Sequence, residues 1–523
     1  MHSAPTHQPN SNNAPTDPRP PQRHFERLRG GAVAIAAMIA LVLSACASGP
    51  NDRSEAARSV SAVSSEVATS ELTAGWNDFL GGLAGGRQAL ENPAFFPPEP
   101  TDRNLAEGYR YLLGHLARII EAQTERDPRF PYFQRSVRML SKWTIDNPDT
   151  LYLSASIDAE GLYQVRGRAR DTTQWRSGER GRRGPHAPRV AIFQTTTALV
   201  GQTGKLEEMA ACRNQTLDSI EQFELDLDAE GRFEILIGAE RPADYDGHFL
   251  VSRKEMPCVA RDGTTTRQIR DAALLNVREI FSDWANEEAL ELEIVRLDQL
   301  GAPRPPRTSA EMGHHLSEIG RLVSNQIQFW NLLHEFGLEV AGDRNGDGRL
   351  ASPRNDLNPA APPFIAGGTA GARQLYSAGV FELPEDEALI VKVLAPLEPY
   401  YVGFQLANLW GESLDQRNYV SSQTGTQNSV AADGARYYII AAKDPGTPGW
   451  LDTTGLPKVA MSMRFIYRGE PGASDLPTIE TTVAKIDRVR DFLPADTPRI
   501  SPAERRGQVD VRQRHIQRRW RQY

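Results

Sequence analysis

Asp149-Thr150-Leu151-Tyr152-Leu153-Ser154-Ala155-Ser156-Ile157-Asp158-Ala159-Glu160-Gly161 is the stretch from which the fold is read. Leu151, Leu153, Ala155 and Ile157 occupy alternate positions, the period of a half-buried strand. The Asp-Ala-Glu-Gly run that follows is turn chemistry, and residues 162–168 resume as a second strand, so the pair predicts a β-hairpin. The same chemistry recurs at Asp228-Ala229-Glu230-Gly231, between strand-like residues 219–227 and 232–237. Residues 190–200 and 289–296 also read as strands, and residues 269–283 as a helix.

Helical spacing flanks this region. Residues 71–85 carry Leu72, Trp76, Phe79, Leu80 and Leu83. Residues 104–124 form a strongly periodic helix with Asp102 as its expected N-cap. Residues 309–336 form another, set off by Pro303, Pro305 and Pro306. Residues 374–382, 388–395, 401–409, 437–442 and 460–467 make a second β-rich region. The order predicts an α+β, mostly β chain with two antiparallel β-sandwich (jelly-roll-like) domains at 146–300 and 346–470. A helical region (71–145) precedes them and a long helical connector (301–345) joins them. Residues 471–523 are expected to be an irregular basic tail, with eight Arg in 499–523. That end is expected either to lie as a basic helix on anionic lipid or to be solvated.

The N-terminus speaks of location. Arg23, Arg27 and Arg29 precede the apolar residues 32–43, and Leu43-Ser44-Ala45-Cys46 follows as a lipobox. An apolar run of about 12 residues is short of the roughly 20 that span a bilayer, and this arrangement predicts a cleaved export signal at 1–45. Lipidation of Cys46 would anchor the mature chain to the membrane, since each buried methylene contributes about 0.8 kcal/mol. Ala47 rather than Asp after the cysteine points to the outer membrane, facing the periplasm. Residues 46–70, poor in large apolar side chains, are expected to be a flexible tether. Removing four Arg and two acidic residues with the signal moves the formal charge from −8 to −10. That acidic balance argues against nucleic-acid binding. The two remaining cysteines, Cys212 and Cys258, are expected to pair in an oxidising compartment; two unpaired buried thiols are the alternative.

Lys142-Trp143-Thr144-Ile145-Asp146-Asn147-Pro148-Asp149-Thr150-Leu151-Tyr152, together with Asp444-Pro445-Gly446 and Gly449-Trp450-Leu451-Asp452-Thr453-Thr454-Gly455, resembles the bacterial proteins grouped as domain-of-unknown-function family 1214, related to family 1254. The helix containing Glu107-Gly108-Tyr109-Arg110-Tyr111-Leu112 fits as well. The resemblance spans roughly residues 76–467 and implies paired β-sandwich domains, with no established reaction. Gly449, where the family more usually has Asn, and the Arg- and Gly-rich residues 174–189 depart from it.

Candidate chemistry is sparse. Asp146, Asp149 and Asp158, around one predicted hairpin, could act as general acid and base, as in glycoside hydrolysis. Asx turn chemistry explains the same residues without function. Asn147, Tyr152, Trp450 and Asp452 are the matching ligand-binding candidates. Asp343, Asn345 and Asp347 match the first half of a calcium loop, but position 12 is Arg354, so calcium is the one candidate cofactor and a plain turn the alternative. His314, His315 and Glu318 do not make a zinc-hydrolase pattern. Trp410, Trp450, Tyr400, Tyr401 and Tyr419 could stack on sugar rings or fill a core. No nucleophile elbow, P-loop or dinucleotide fingerprint occurs in a suitable setting. Two expectations remain: an envelope lipoprotein that binds a glycan or small ligand in an interdomain cleft, or an envelope hydrolase using the carboxylates at 146–158.

Overall fold

The computed structural model describes residues 50–143, 145–180, 183–210, 214–259, 264–340, 352–362 and 373–519. It divides into two units, Met1–Thr73 and Ala74–Tyr523. In the first, the described residues belong to the N-terminal part of helix α1 (Pro50–Glu91). The expected tether is therefore helical from Pro50. Its Ala-, Ser- and Glu-rich composition withholds a packed core, but Ala and Glu are good helix formers.

The second unit holds everything else. The C-terminal part of α1, α2 (Asp102–Glu125) and α3 (Ser309–Glu335) form a helical layer around Leu90, Tyr111, Ile119, Val323, Ile327 and Trp330. The N-cap of α2 is Thr101, whose hydroxyl accepts the Asn104 N–H at 3.2 Å; Asp102 is the first helical residue instead. A Thr308–Glu311 capping box opens α3. Helices α1 and α3 meet backbone to backbone. A Cβ on Gly82 would lie 2.2 Å from the Gly320 carbonyl oxygen, so only glycine allows the approach.

The first sandwich packs sheet β1-β2-β10-β4-β5 on sheet β11-β3-β6-β7. Its strands are β1 (Gln134–Arg135), β2 (Thr150–Ser156), β3 (Tyr163–Arg168), β4 (Val190–Thr196), β5 (Thr216–Glu221), β6 (Arg232–Gly238), β7 (His248–Val251), β10 (Leu274–Ile280) and β11 (Glu291–Arg296). A separate ribbon pairs β8 (Arg253–Val259) with β9 (Thr265–Asp271). The second sandwich packs β12 (Gln374–Glu382), β18 (Lys458–Ile466), β14 (Tyr401–Ala407) and β15 (Ser422–Thr424) on β17 (Trp450–Asp452), β16 (Ala435–Ala441), β13 (Glu387–Leu394) and β19 (Thr478–Lys485). Among the described residues all ladders are antiparallel except β6/β7 and β16/β17. Each core draws from both facing sheets: Leu153, Phe193 and Val277 meet Val165 and Ile235 in the first, and Phe404, Met463 and Phe465 meet Val391 and Tyr438 in the second.

Three local expectations are corrected. Strands β2 and β3 are not a hairpin: β2 pairs with β10, β3 with β6 and β11, and the Asp158 turn carries the chain from one sheet to the other. The Asp228 turn does the same between β5 and β6. An Asx turn reverses the chain but does not choose the partner strand; burial of alternating faces against a second sheet does. Residues 269–283 are not helical but span the end of β9 and all of β10. Strand β10 (Leu-Leu-Asn-Val-Arg-Glu-Ile) lies between β2 and β4; Leu275 and Val277 alternate with half-buried Asn276 and Arg278, but the pattern breaks at Glu279, a carboxyl buried where an apolar side chain is expected.

The tail is not irregular. Strand β19 extends the second sandwich to Lys485, and α4 (Pro502–Arg519) is a docked helix with Arg505, Arg512, His515, Ile516 and Arg519 buried. Ser501 and Glu504 cap its start reciprocally: the Ser501 N–H donates to Glu504 Oε2 at 2.7 Å and the Glu504 N–H to Ser501 Oγ at 3.3 Å.

Candidate functional site

The turn before β2 binds the two sandwiches together. Ile145 enters it at φ 53°, costly for a β-branched residue. Its N–H donates to the Gly411 carbonyl at 2.7 Å, and its carbonyl accepts from Arg464 at 2.6 Å. The Asp146 carboxylate accepts both the Ser413 N–H (2.9 Å) and the Ser413 hydroxyl (2.8 Å). Asn147 Oδ1 accepts the Asp149 N–H at 3.0 Å, its amide nitrogen donates to the Tyr401 hydroxyl at 3.1 Å, and its backbone N–H donates to the Tyr152 hydroxyl at 2.9 Å. Tyr401 in turn donates to Asp149 Oδ2 at 2.6 Å. A Cβ at Gly403 would lie 2.8 Å from that same oxygen, so the glycine makes room for the contact.

Asp149 is 1% exposed, and its Oδ1 has no hydrogen-bond partner among the described residues. Burial pushes its carboxyl above the ordinary range, against the pull of the Tyr401 hydroxyl and the Arg519, Arg512 and Arg464 guanidiniums. Asp146, Asn147, Asp149 and Tyr152 are thus brought together, but as a sealed interdomain junction. Asp158 is not among them. It stands beyond the far end of β2, nine residues and roughly 30 Å of strand away, where it holds Arg296 at 2.7 Å and the N–H groups of Glu160 and Gly161. Trp450 is buried, its indole N–H given to the Ala441 carbonyl at 2.9 Å. Asp452 accepts the Thr454 N–H at 2.7 Å, and burial raises its carboxyl. Of the five aromatics considered for stacking, only Tyr419 is exposed.

Helix α4 closes this junction with arginines seven residues apart. Arg505 grips both Asp444 oxygens at 2.9 Å and lies 4.9 Å from the Trp450 ring. Arg512 reaches the carbonyls of Gln416 and Ser422 and lies 4.8 Å from the Trp284 ring. Arg519 donates to the Pro148 carbonyl at 2.7 Å, with its guanidinium 4.6 Å from Phe281 and 4.8 Å from Trp284. The residues were visible in the sequence as a basic end; their seven-residue spacing and the Ser501-Pro502-Ala503-Glu504 cap were the unread signals.

An open crevice lies elsewhere between the sandwiches, with a volume of about 670 Å³. Trp175, Glu221 and Phe223 from the first domain and Arg373 and Arg468 from the second line it. Arg468 donates to the Trp175 carbonyl at 2.7 Å and lies 4.9 Å from the Phe223 ring. Arg373 pairs with Glu221, whose other oxygen is unpartnered among the described residues and whose carboxyl burial raises. The Gln222 amide nitrogen is likewise unpartnered. Nothing in the spacing of these residues marks them as a group, because they converge from the end of β5, a short helix (Thr173–Ser177), and the start of β12 and end of β18, which pair at one end of the second sandwich. The Arg-rich stretch 174–189 contributes here too: Arg189 donates to the Tyr400 carbonyl at 2.7 Å, clasping one domain to the other.

Asp343, Asn345 and Asp347 lie outside the described residues, as do Cys46 and Cys212; Cys258, on β8, is disulfide-bonded. Glu318 is paired with Arg321 at 2.6 Å. Among the described residues no three His, Cys, Asp or Glu side chains converge as a metal site, and no helix is long and apolar enough to cross a membrane.

No family model matches the chain, and no curated protein matches it. Among solved structures, an uncharacterized protein from Burkholderia cenocepacia is similar over 80% of this chain and 99% of its own, at 24% identity and a TM-score of 0.60, a likeness of fold. A protein from Vibrio parahaemolyticus is matched over 72% of this chain and 98% of its own, at 11% identity and a TM-score of 0.34; no inference is drawn from it.

Proposed function

We propose that this chain is an exported, lipid-anchored protein of the bacterial cell envelope that binds a small polar ligand, a glycan fragment first, in the crevice between its sandwiches. The single observation that carries the binding is that crevice. Its volume falls within the usual range for ligand sites, about 300–1,000 Å³. It is lined by the Phe223 ring, by Arg373 paired with Glu221, and by Arg468 and Glu224, while Glu221 and Gln222 are themselves buried in its wall. A sugar hydroxyl donates and accepts at once, so it suits a crevice that presents carboxylate and guanidinium groups beside an aromatic ring. The hydrolase alternative, with calcium or without, has less support: Asp149 is sealed beneath α4 and Asp158 stands apart.

Calorimetric titration of the mature chain with envelope oligosaccharides tests the binding. Saturable heat that Phe223→Ala lowers at least tenfold in affinity supports it; no heat with any sugar, or binding indifferent to Phe223→Ala and Arg468→Ala, removes it. The lipobox supports the anchor, and Cys46→Ser is expected to move the protein from the membrane fraction to the soluble fraction.

A further inference from the structure

We propose that the groove beneath α4 is a receptor site for an arginine-bearing peptide helix, and that α4 is its resident, exchangeable occupant. The groove offers three sockets one heptad apart, about 10.5 Å along a helix. Each joins an oxygen acceptor to an aromatic face: Asp444 and Thr447 with Trp450, Gln416 and Ser422 with Trp284, and Pro148 with Phe281 and Trp284. A planar guanidinium satisfies both parts at once, stacking on the ring while its edge N–H groups reach the oxygens; a lysine ammonium does not.

The way α4 is held favours exchange. Its one buried aliphatic contact is Ile516, against the first core, with Val511 partly covered and the His515 ring stacked 5.0 Å from Trp284; its other buried anchors are the three arginines. The fit leaves buried polar atoms unused among the described residues: Asp149 Oδ1 and Trp284 Nε1 on the groove, Arg519 Nη2 on the helix. The helix is joined through Pro494, Pro498 and Pro502 to the rest of the chain. Tethering supplies an effective concentration of about millimolar, enough for a modest intrinsic affinity to keep the groove filled.

The test uses the full mature chain with a protease site placed between residues 494 and 500, cut after folding, and a fluorescent synthetic peptide of residues 500–523. The cut protein is expected to release its own fragment in high salt, keep its circular dichroism apart from the lost helix, and bind the peptide. Affinity is expected to fall about tenfold for a peptide carrying R512K and further when R505K and R519K are added, and the uncut chain to take up peptide at least a hundredfold more weakly. Retention of the fragment through high salt, unfolding on its release, or peptide uptake indifferent to the three arginines or to cutting would each overturn the proposal.

Discussion

Replacing Tyr401 with Phe removes one oxygen from the junction and should cost far more than its size suggests. The hydroxyl donates to Asp149 Oδ2 at 2.6 Å and accepts from the Asn147 amide at 3.1 Å, both fully buried. Asp149 Oδ1 already lacks a partner among the described residues, so the substitution leaves both carboxylate oxygens without one. A hydrogen bond to a charged group contributes about 1.5–3 kcal/mol, and an orphaned buried acceptor costs about 1–3 kcal/mol. A loss of about 2–4 kcal/mol is therefore expected from the two terms, which overlap. Urea unfolding followed by tryptophan fluorescence measures it. A double-mutant cycle with Asp149→Ala isolates the contact, and a coupling of about 1.5–3 kcal/mol is expected because the charged hydrogen bond is what the two residues share. Coupling below about 0.5 kcal/mol would refute the reasoning, since independent sites add within that margin.

Gly82→Ala should destabilise by about 1–3 kcal/mol, as overpacked contacts do, because its Cβ would press 2.2 Å from the Gly320 carbonyl. Gly81→Ala, whose Cβ meets nothing within 4 Å, should instead stabilise; thermal unfolding by circular dichroism separates the two. Burial pushes Glu279 and Glu287 up to about 8, against an ordinary value of 4.5. The folded chain then keeps protons that the unfolded chain has released, so the stability these groups confer is present below pH 4.5 and lost as pH rises towards 8. The loss is at most about 1.4 kcal/mol per pH unit for each group. Glu287→Gln should flatten the fall in unfolding free energy between pH 5 and 8; an unchanged slope would contradict the assignment of that carboxyl.

Elements whose apolar spacing stays regular from end to end were legible, whereas α1, expected only at 71–85, begins at Pro50. Helices α2 and α3 and strands β12, β13, β14, β16 and β18 stand within about two residues of their expected ends. What failed was partner choice. The Asp158 and Asp228 turns have hairpin chemistry, yet each leads into the opposite sheet, a decision made by the core rather than the turn. Strand β10 reads as helix because a buried carboxyl, Glu279, stands where the alternation of Leu275 and Val277 calls for an apolar side chain. For the site, proximity in sequence misled. Asp146, Asn147 and Asp149 do share one centre, but Asp158 lies a strand away, and Phe223, Arg373 and Arg468 converge from segments far apart in the chain. The basic end misled for another reason: charge suggested solvent or lipid, whereas three arginines found carbonyls and rings to bury against.

Hydrogen exchange of the mature protein with and without a saturating envelope oligosaccharide tests the central claim, that the open crevice rather than the carboxylate turn takes the ligand. The account predicts new protection at residues 172–177 and 219–227, which line the crevice, with residues 146–158 unchanged. Protection at 146–158 with none at 219–227 would contradict it.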